Sequence, residues 1–227
     1  SVVAEVESTN EVVSFDTITI QKLKLTAFSG SWPLRRATKT TTSGTAPDGT
    51  NTAVKITPTT DNNTHRIDQN PASLVASTQY TFSVYGKQDG YTGLSLTVAL
   101  GSNTTSSQGA YFNLSSGAVT SAGSGVTASM QDAGSGWYRC IITLTTPGSI
   151  GTDAILIGVG SDSSTFSYVG DESDAILIWG PQLELSSSVT GFLPNEASST
   201  TYPGLTTVTR GANGTTAASA SSGDDIQ

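Results

Sequence analysis

Tyr80-Thr-Phe-Ser-Val84 and Leu94-Ser-Leu-Thr-Val-Ala-Leu100 are the two stretches whose alternation decides the fold. In the first, Tyr80, Phe82 and Val84 fall on one side of an extended chain, with Thr81, Ser83 and Tyr85 on the other. In the second, Leu94, Leu96, Val98 and Leu100 alternate with Ser95, Thr97 and Ala99. A two-residue period belongs to a strand with one face in a core. Between them Lys87-Gln-Asp-Gly90 has turn chemistry, so the two are expected to form a hairpin.

The same signal extends in both directions, to Thr52-Ala-Val-Lys-Ile56 on one side and to Tyr111–Leu114, Val126–Met130, Trp137–Leu144, Ala154–Val159 and Ala175–Leu185 on the other. Clusters of Gly, Ser, Asp and Pro separate these runs and supply the turns. Ile155-Leu-Ile157 and Ile176-Leu-Ile-Trp179 are nearly continuous apolar runs, as expected of central strands covered on both sides. The fold class that follows is all-β, an antiparallel two-sheet jelly-roll sandwich with on the order of eight to ten strands.

Three segments are expected. Residues 1–29 form an N-terminal extension or anchor; there Asp16-Thr-Ile-Thr-Ile20 and Lys22-Leu-Lys-Leu25 alternate out of phase, which asks for two short strands or a bulge near Gln21. Residues 30–196 hold the sandwich. Residues 197–227 are rich in Ser, Thr, Gly and Ala and lack the apolar surface to order alone, so they read as a tail or assembly segment. Within them Leu205-Thr-Thr-Val208 is a short strand that would pair with a neighbouring subunit.

Over 227 residues the formal charge is -8, with 35% hydrophobic and 12% charged residues. Binding nucleic acid by phosphate neutralisation needs clustered Lys and Arg, and no such cluster exists. Arg35, Arg36 and Lys39 read as the solvated face of an edge strand. No apolar run reaches the length of a membrane helix. The single cysteine, Cys140, lies in an apolar run and reads as core; the single histidine, His65, lies in a polar stretch with no recognisable partner for it.

Trp32, Ala46-Pro-Asp-Gly-Thr50, Thr52-Ala53, Tyr80-Thr-Phe-Ser-Val-Tyr-Gly-Lys87, Gly136-Trp-Tyr-Arg139 and Ile178-Trp-Gly-Pro-Gln-Leu-Glu184, with Thr190 and Pro194, form an ordered series. That series resembles the carbohydrate-binding-like, concanavalin-like jelly-roll domains of bacteriophage virion proteins: tail fibres, spikes and capsid decorations. The resemblance runs from about Trp32 to Glu196. It implies a jelly roll on an extracellular phage particle, in contact with other virion subunits, as a homo-oligomer and specifically a trimer, with adhesion to host-surface glycan as a further role. Two departures stand out: Pro181 replaces a small residue before Gln-Leu-Glu, and Asp171-Glu-Ser-Asp174 makes the preceding loop acidic.

No catalytic set is expected. Glycoside hydrolysis needs two carboxylates facing each other across a cleft, whereas nearly all of the acids here, from Asp48, Asp61 and Asp68 to Asp162 and Asp171, stand in turn-like contexts. A Gly-x-Ser-x-Gly elbow, a His-rich metal motif and a phosphate-binding glycine loop are all missing. Asp171, Glu172 and Asp174 are candidate oxygen ligands for a structural calcium, the sole cofactor considered. Sugar binding calls for aromatic platforms with polar neighbours. Candidates are Tyr85, Tyr91, Tyr111 and Asn113, each with an alternative role in covering the second layer of a sandwich or an oligomer contact. Arg139 projects away from the apolar face of Tyr138, Cys140, Ile142 and Leu144, to stack on an aromatic ring, pair with a carboxylate or touch a ligand. Gln182 and Glu184 alternate with Leu183 and Leu185 and read as hydrogen-bonded positions ending the last strand.

The expected function is therefore a non-enzymatic virion surface protein whose jelly roll serves assembly and adhesion to glycan. Two alternatives stay open: a purely structural virion subunit that binds no sugar, and an accessory carbohydrate-binding module of a secreted polysaccharide-degrading enzyme.

Overall fold

A computed structural model describes residues 32–69, 74–100, 108–150 and 153–192. The extension at 1–29, the tail at 197–227 and the short strands expected within them lie outside the described residues. In chain order the strands are β1 Leu34–Arg35, β2 Ala37–Thr40, β3 Val54–Pro58, β4 Asn62–Gln69, β5 Gln79–Asp89, β6 Gly93–Leu100, β7 Gly109–Asn113, β8 Ala118–Ala122, β9 Val126–Gly134, β10 Trp137–Thr145, β11 Asp153–Gly160, β12 Ser167–Val169 and β13 Ala175–Glu184.

These strands make two antiparallel sheets. One runs β1-β4-β11-β6-β7-β8, with β12 added along β4; the other runs β2-β3-β13-β5-β10-β9. The alternation seen in the sequence is what lets them stack as a jelly-roll sandwich. Ile56, Phe82, Val84, Ile142 and Ile178 from the six-stranded sheet meet Leu94, Leu96, Phe112, Ile155 and Ile157 from the seven-stranded one. Each such side chain contributes about 1.5–3 kcal/mol on leaving water. Cys140, Ile142 and Leu144 point into this core while Trp137 and Arg139 point out, as expected from the parity of β10.

The hairpin expected across residues 80–100 does not form. β5 pairs with β10 and β13, whereas β6 pairs with β11 and β7, so the chain crosses from one sheet to the other at Gly90. Period-two alternation fixes which face of a strand is buried but not which sheet holds it. Both strands bury the predicted faces in one core, from opposite sides.

Among the described residues thirteen strands exceed the expected number, and the surplus is short or polar: β1, β2, β4, β8 and β12. β4 is the most informative. Its sequence Asn62-Asn-Thr-His-Arg-Ile-Asp-Gln69 holds one apolar residue, Ile67, which is fully buried. His65, two residues earlier on the same face, is also buried, with Nδ1 2.6 Å from the Arg36 carbonyl and Nε2 3.1 Å from the Tyr168 carbonyl. The histidine that lacked a recognisable partner thus lies between two backbone oxygens.

β11 and β13 are interior strands, as expected, though Leu156 on the outer side of β11 is half-buried. β13 carries a bulge: Trp179 pairs with Tyr85 and Gln182 with Ser83, three residues against two. Gly180, at φ 57, supplies the left-handed turn, and Pro181 lies within the bulge, outside the paired positions of the β13–β5 ladder. The extra residue switches parity, so Ile176 and Ile178 face the core before it and Leu183 after it. Gln182 and Glu184 are thereby turned to the outer face.

That outer face of the six-stranded sheet carries a second, smaller core of Ala46, Ala53, Trp137 and Trp179, with Tyr85, Leu177 and Phe192 packed against it. The segment after β13 closes over it. Thr190 donates its amide and hydroxyl to Glu184, its carbonyl accepts from Arg139 Nη1 at 2.6 Å, and its hydroxyl accepts from Gln182 Nε2 at 3.3 Å. Gln182 and Glu184 are hydrogen-bonded as expected.

Candidate functional site

The five residues expected to bind ligand do not converge. Tyr85 lies on the outer face of the six-stranded sheet under Phe192 and Trp179, with ring centroids 6.1 and 5.3 Å away. Arg139 sits 5.3 Å over the Tyr85 ring and donates from Nε and Nη2 to Ser83 Oγ. It is 4% exposed, so its hydrogen bonds hold the segment after β13 rather than reach solvent. Of the roles considered for it, stacking on a ring is the one the structure displays. Tyr91 is buried in the main core, edge to face with Tyr168. Asn113 accepts the amides of Ser115 and Ser116 and caps the β7–β8 turn. Tyr111 stands half-buried on the outer face of the seven-stranded sheet, the face Asn113 shares two residues on.

The expected calcium ligands do not gather either. Asp171 Oδ1 accepts the amides of Ser173 and Asp174, which hold its carboxyl below the usual carboxylate range. Among the described residues no group of three His, Cys, Asp or Glu side chains forms a metal-ligand set. Asp48, Asp132 and Asp162 likewise cap their own turns. Asp68 departs from that expectation, since it lies within β4 and not in a turn.

Around Tyr111 the strand register builds a face that the sequence did not disclose. Arg35 pairs with Arg66, Arg66 with Gly158, Gly158 with Ser95, Ser95 with Tyr111 and Tyr111 with Ser121, forming one row across the sheet. All six turn outward because their strand neighbours Ile67, Ile157, Leu96 and Phe112 turn in. Three interstrand steps of about 4.8 Å put Tyr111 about 14 Å from Arg66. The two positions between them are glycine and serine; a Cβ on Gly158 would lie 2.3 Å from Ser95 Oγ. The middle of the row is therefore low, with Tyr111 at one end and arginines at the other.

Residues 161–166 raise one side of this shelf. The turn is tied by Asp162 Oδ1, which accepts from the amides of Ser164 and Thr165 at 2.7 and 2.8 Å, and by Ser161 N donating to Thr165 O at 3.0 Å. These donors, the Ser164 amide foremost, lower the Asp162 carboxyl below its usual range. Thr120 Oγ1 anchors the loop to β8 through the Ser163 carbonyl. Phe166 then stacks on Tyr111 at 4.4 Å and 25°, and fixes the plane of that ring. Beside it Gly109, Tyr111, Ser121 and Gly123 line an open cleft of about 270 Å³. At the far end Asp68 accepts from Arg35 Nε at 3.0 Å and from Arg66 Nε at 2.9 Å. Sequence reasoning found Tyr111 but missed Arg66, Asp68, Ser95, Gly158 and Phe166. Their signal lies in register and not in any local motif.

No protein-family model matches the chain, and no curated protein matches it. Among solved structures, it is similar to the CBM22-1–GH10 modules of Clostridium thermocellum endo-1,4-beta-D-xylanase 10B complexed with xylohexaose. That likeness has 11% identity and a TM-score of 0.43, over 77% of this chain and 29% of the xylanase chain. It is similar also to a carbohydrate-binding module of the CBM4 type, at 15% identity and a TM-score of 0.35, over 60% of this chain and 73% of the other. The first match thus spans less than a third of its counterpart's length.

Proposed function

We propose that the chain is a non-catalytic glycan-binding sandwich whose ligand lies on the outer face of the seven-stranded sheet, between Tyr111 and Arg66. The observation that carries this is the registered row itself. A braced aromatic ring, a floor of Ser95 and Gly158, and a guanidinium–carboxylate cluster span about 14 Å. A sugar offers an apolar ring face for stacking and hydroxyls for bidentate polar groups, and this face supplies both in one line. The prepositioned Phe166–Tyr111 stack lowers the ordering cost of binding.

A glycan array followed by calorimetry tests the proposal. Tyr111→Ala is expected to weaken binding by about ten-fold or more, the worth of one aromatic stack, and to cost about 1 kcal/mol of stability through loss of its stack on Phe166. Absence of binding to any polysaccharide at millimolar concentration would overturn it.

The setting we propose is the surface of a bacteriophage particle, in a homotrimer. The motif series from Trp32 to Pro194 and the core-poor segment at 197–227 support that reading. A monomer by light scattering at high concentration removes the oligomer, and a particle that lacks the chain removes the setting.

A further inference from the structure

Arg35 and Arg66 stand directly opposite each other on β1 and β4. Like charges in that relation repel, and strand pairs ordinarily avoid it. Here one carboxylate, Asp68, is shared between them through the two Nε atoms, so two positive charges meet one negative and a net positive charge remains. The chain as a whole carries -8, which makes a paired cationic site on one sheet face a departure from its own composition. Arg66 already pairs the buried Asp68, and stability does not account for the second, exposed guanidinium of Arg35, because exposed ion pairs contribute little. The Arg35 side chain is 58% exposed and that of Arg66 31%, whereas Asp68 is 10% exposed beneath them. Since Asp68 engages only the Nε atoms, both terminal nitrogens of Arg35 and Nη2 of Arg66 make no hydrogen bond among the described residues. A guanidinium presents its terminal N–H groups as a planar fork that matches a carboxylate.

We infer that this face selects a glycan bearing carboxylate groups, that is, a uronic-acid-containing chain. Its carboxylate lies against Arg35 and Arg66, and a ring farther along the same chain stacks on Tyr111. The inference rests on the glycan-binding reading above and narrows it to a substrate class. The spacing of about 14 Å between Arg66 and Tyr111 requires the acid group and the stacked ring to belong to different sugar units. A single monosaccharide acid therefore engages only one end.

Calorimetry on the full chain, with uronic-acid oligosaccharides and neutral oligosaccharides of equal length, tests this. The acidic series is expected to bind about ten-fold tighter or more, and to weaken as salt rises from about 50 mM to about 500 mM. Arg35→Gln is expected to remove most of that preference, weakening acidic binding far more than neutral binding and leaving the melting temperature nearly unchanged; Arg66→Gln is expected to act in the same direction. Should Arg66→Gln fail to fold, Arg35→Gln on the exposed edge strand carries the test. Equal binding of the two series, or acidic binding indifferent to Arg35→Gln, overturns the acid selectivity, and Tyr111-dependent neutral binding then leaves the glycan reading standing. No binding by either series overturns both.

Discussion

Tyr91 and Tyr168 meet edge to face at 5.2 Å, and the Tyr168 hydroxyl donates to the Val159 carbonyl at 3.2 Å. Burial raises both phenols above their ordinary range; the Asp171 carboxylate adds to this at Tyr91, and Tyr91 and Asp171 add to it at Tyr168. The sign follows from proton counting. Above about pH 10 the unfolded chain has lost its phenolic protons while these two sites keep theirs. The native state then binds more protons than the unfolded one, so stability falls as pH rises through that window. In a spectrophotometric titration of the seven tyrosines, Tyr91 and Tyr168 are expected to keep their protons in the folded chain through the ordinary phenolic range. Reversible ionisation of all seven within that range in a folded chain would contradict this. Tyr168→Phe removes the hydrogen bond and is expected to cost about 1 kcal/mol.

Among the elements, the crossing from β5 to β6 hinges on Gly90. Its φ is 97, and a Cβ there would fall 2.1 Å from Asp174 Oδ1, at a point where Gly90 also bridges to Ala175. Gly49 has a similar φ, 83, with nothing within 4 Å of a Cβ. Gly49→Ala is expected to cost only the backbone strain, about 1 kcal/mol, and Gly90→Ala about 2 kcal/mol or more. Urea midpoints measure the difference, and equal losses would show that the crossing is not packed as described. The same hinge explains what sequence reading could reach. Tyr80, Phe82 and Val84, like Leu94, Leu96 and Val98, state their buried face plainly, but turn residues between two strands serve a sheet-crossing arch as well as a hairpin. β4 stayed hidden for another reason: Asn and Asp have low strand propensity, polar residues fill all but one of its positions, and long-range pairing to β1, β11 and β12 holds them extended. Since Arg66 and Asp68 ride on that strand, the arginine end of the binding face was hidden with it.

At the scale of the whole molecule, the sandwich was legible because its core repeats one local rule, whereas the face joins residues 35, 66, 111, 158 and 166, which no local window contains. The core has a built-in reporter of its integrity. Cys140 is fully buried in β10, paired with Val84 on one side and Met130 on the other, and burial pushes its thiol far above the usual range. Disulfide reagents attack the thiolate, so both access and ionisation are withheld until the sheets part. Labelling of the native chain is therefore expected to be slow and to follow a single phase. Its dependence on urea should equal that of global unfolding, because opening the core exposes the whole buried surface. The alternative lies next to it, since among the described residues β9 is the edge strand of the six-stranded sheet and pairs along that flank of β10. Fast labelling with a weak urea dependence would mean that β9 peels away alone, and the sandwich would then be two cooperative units instead of one.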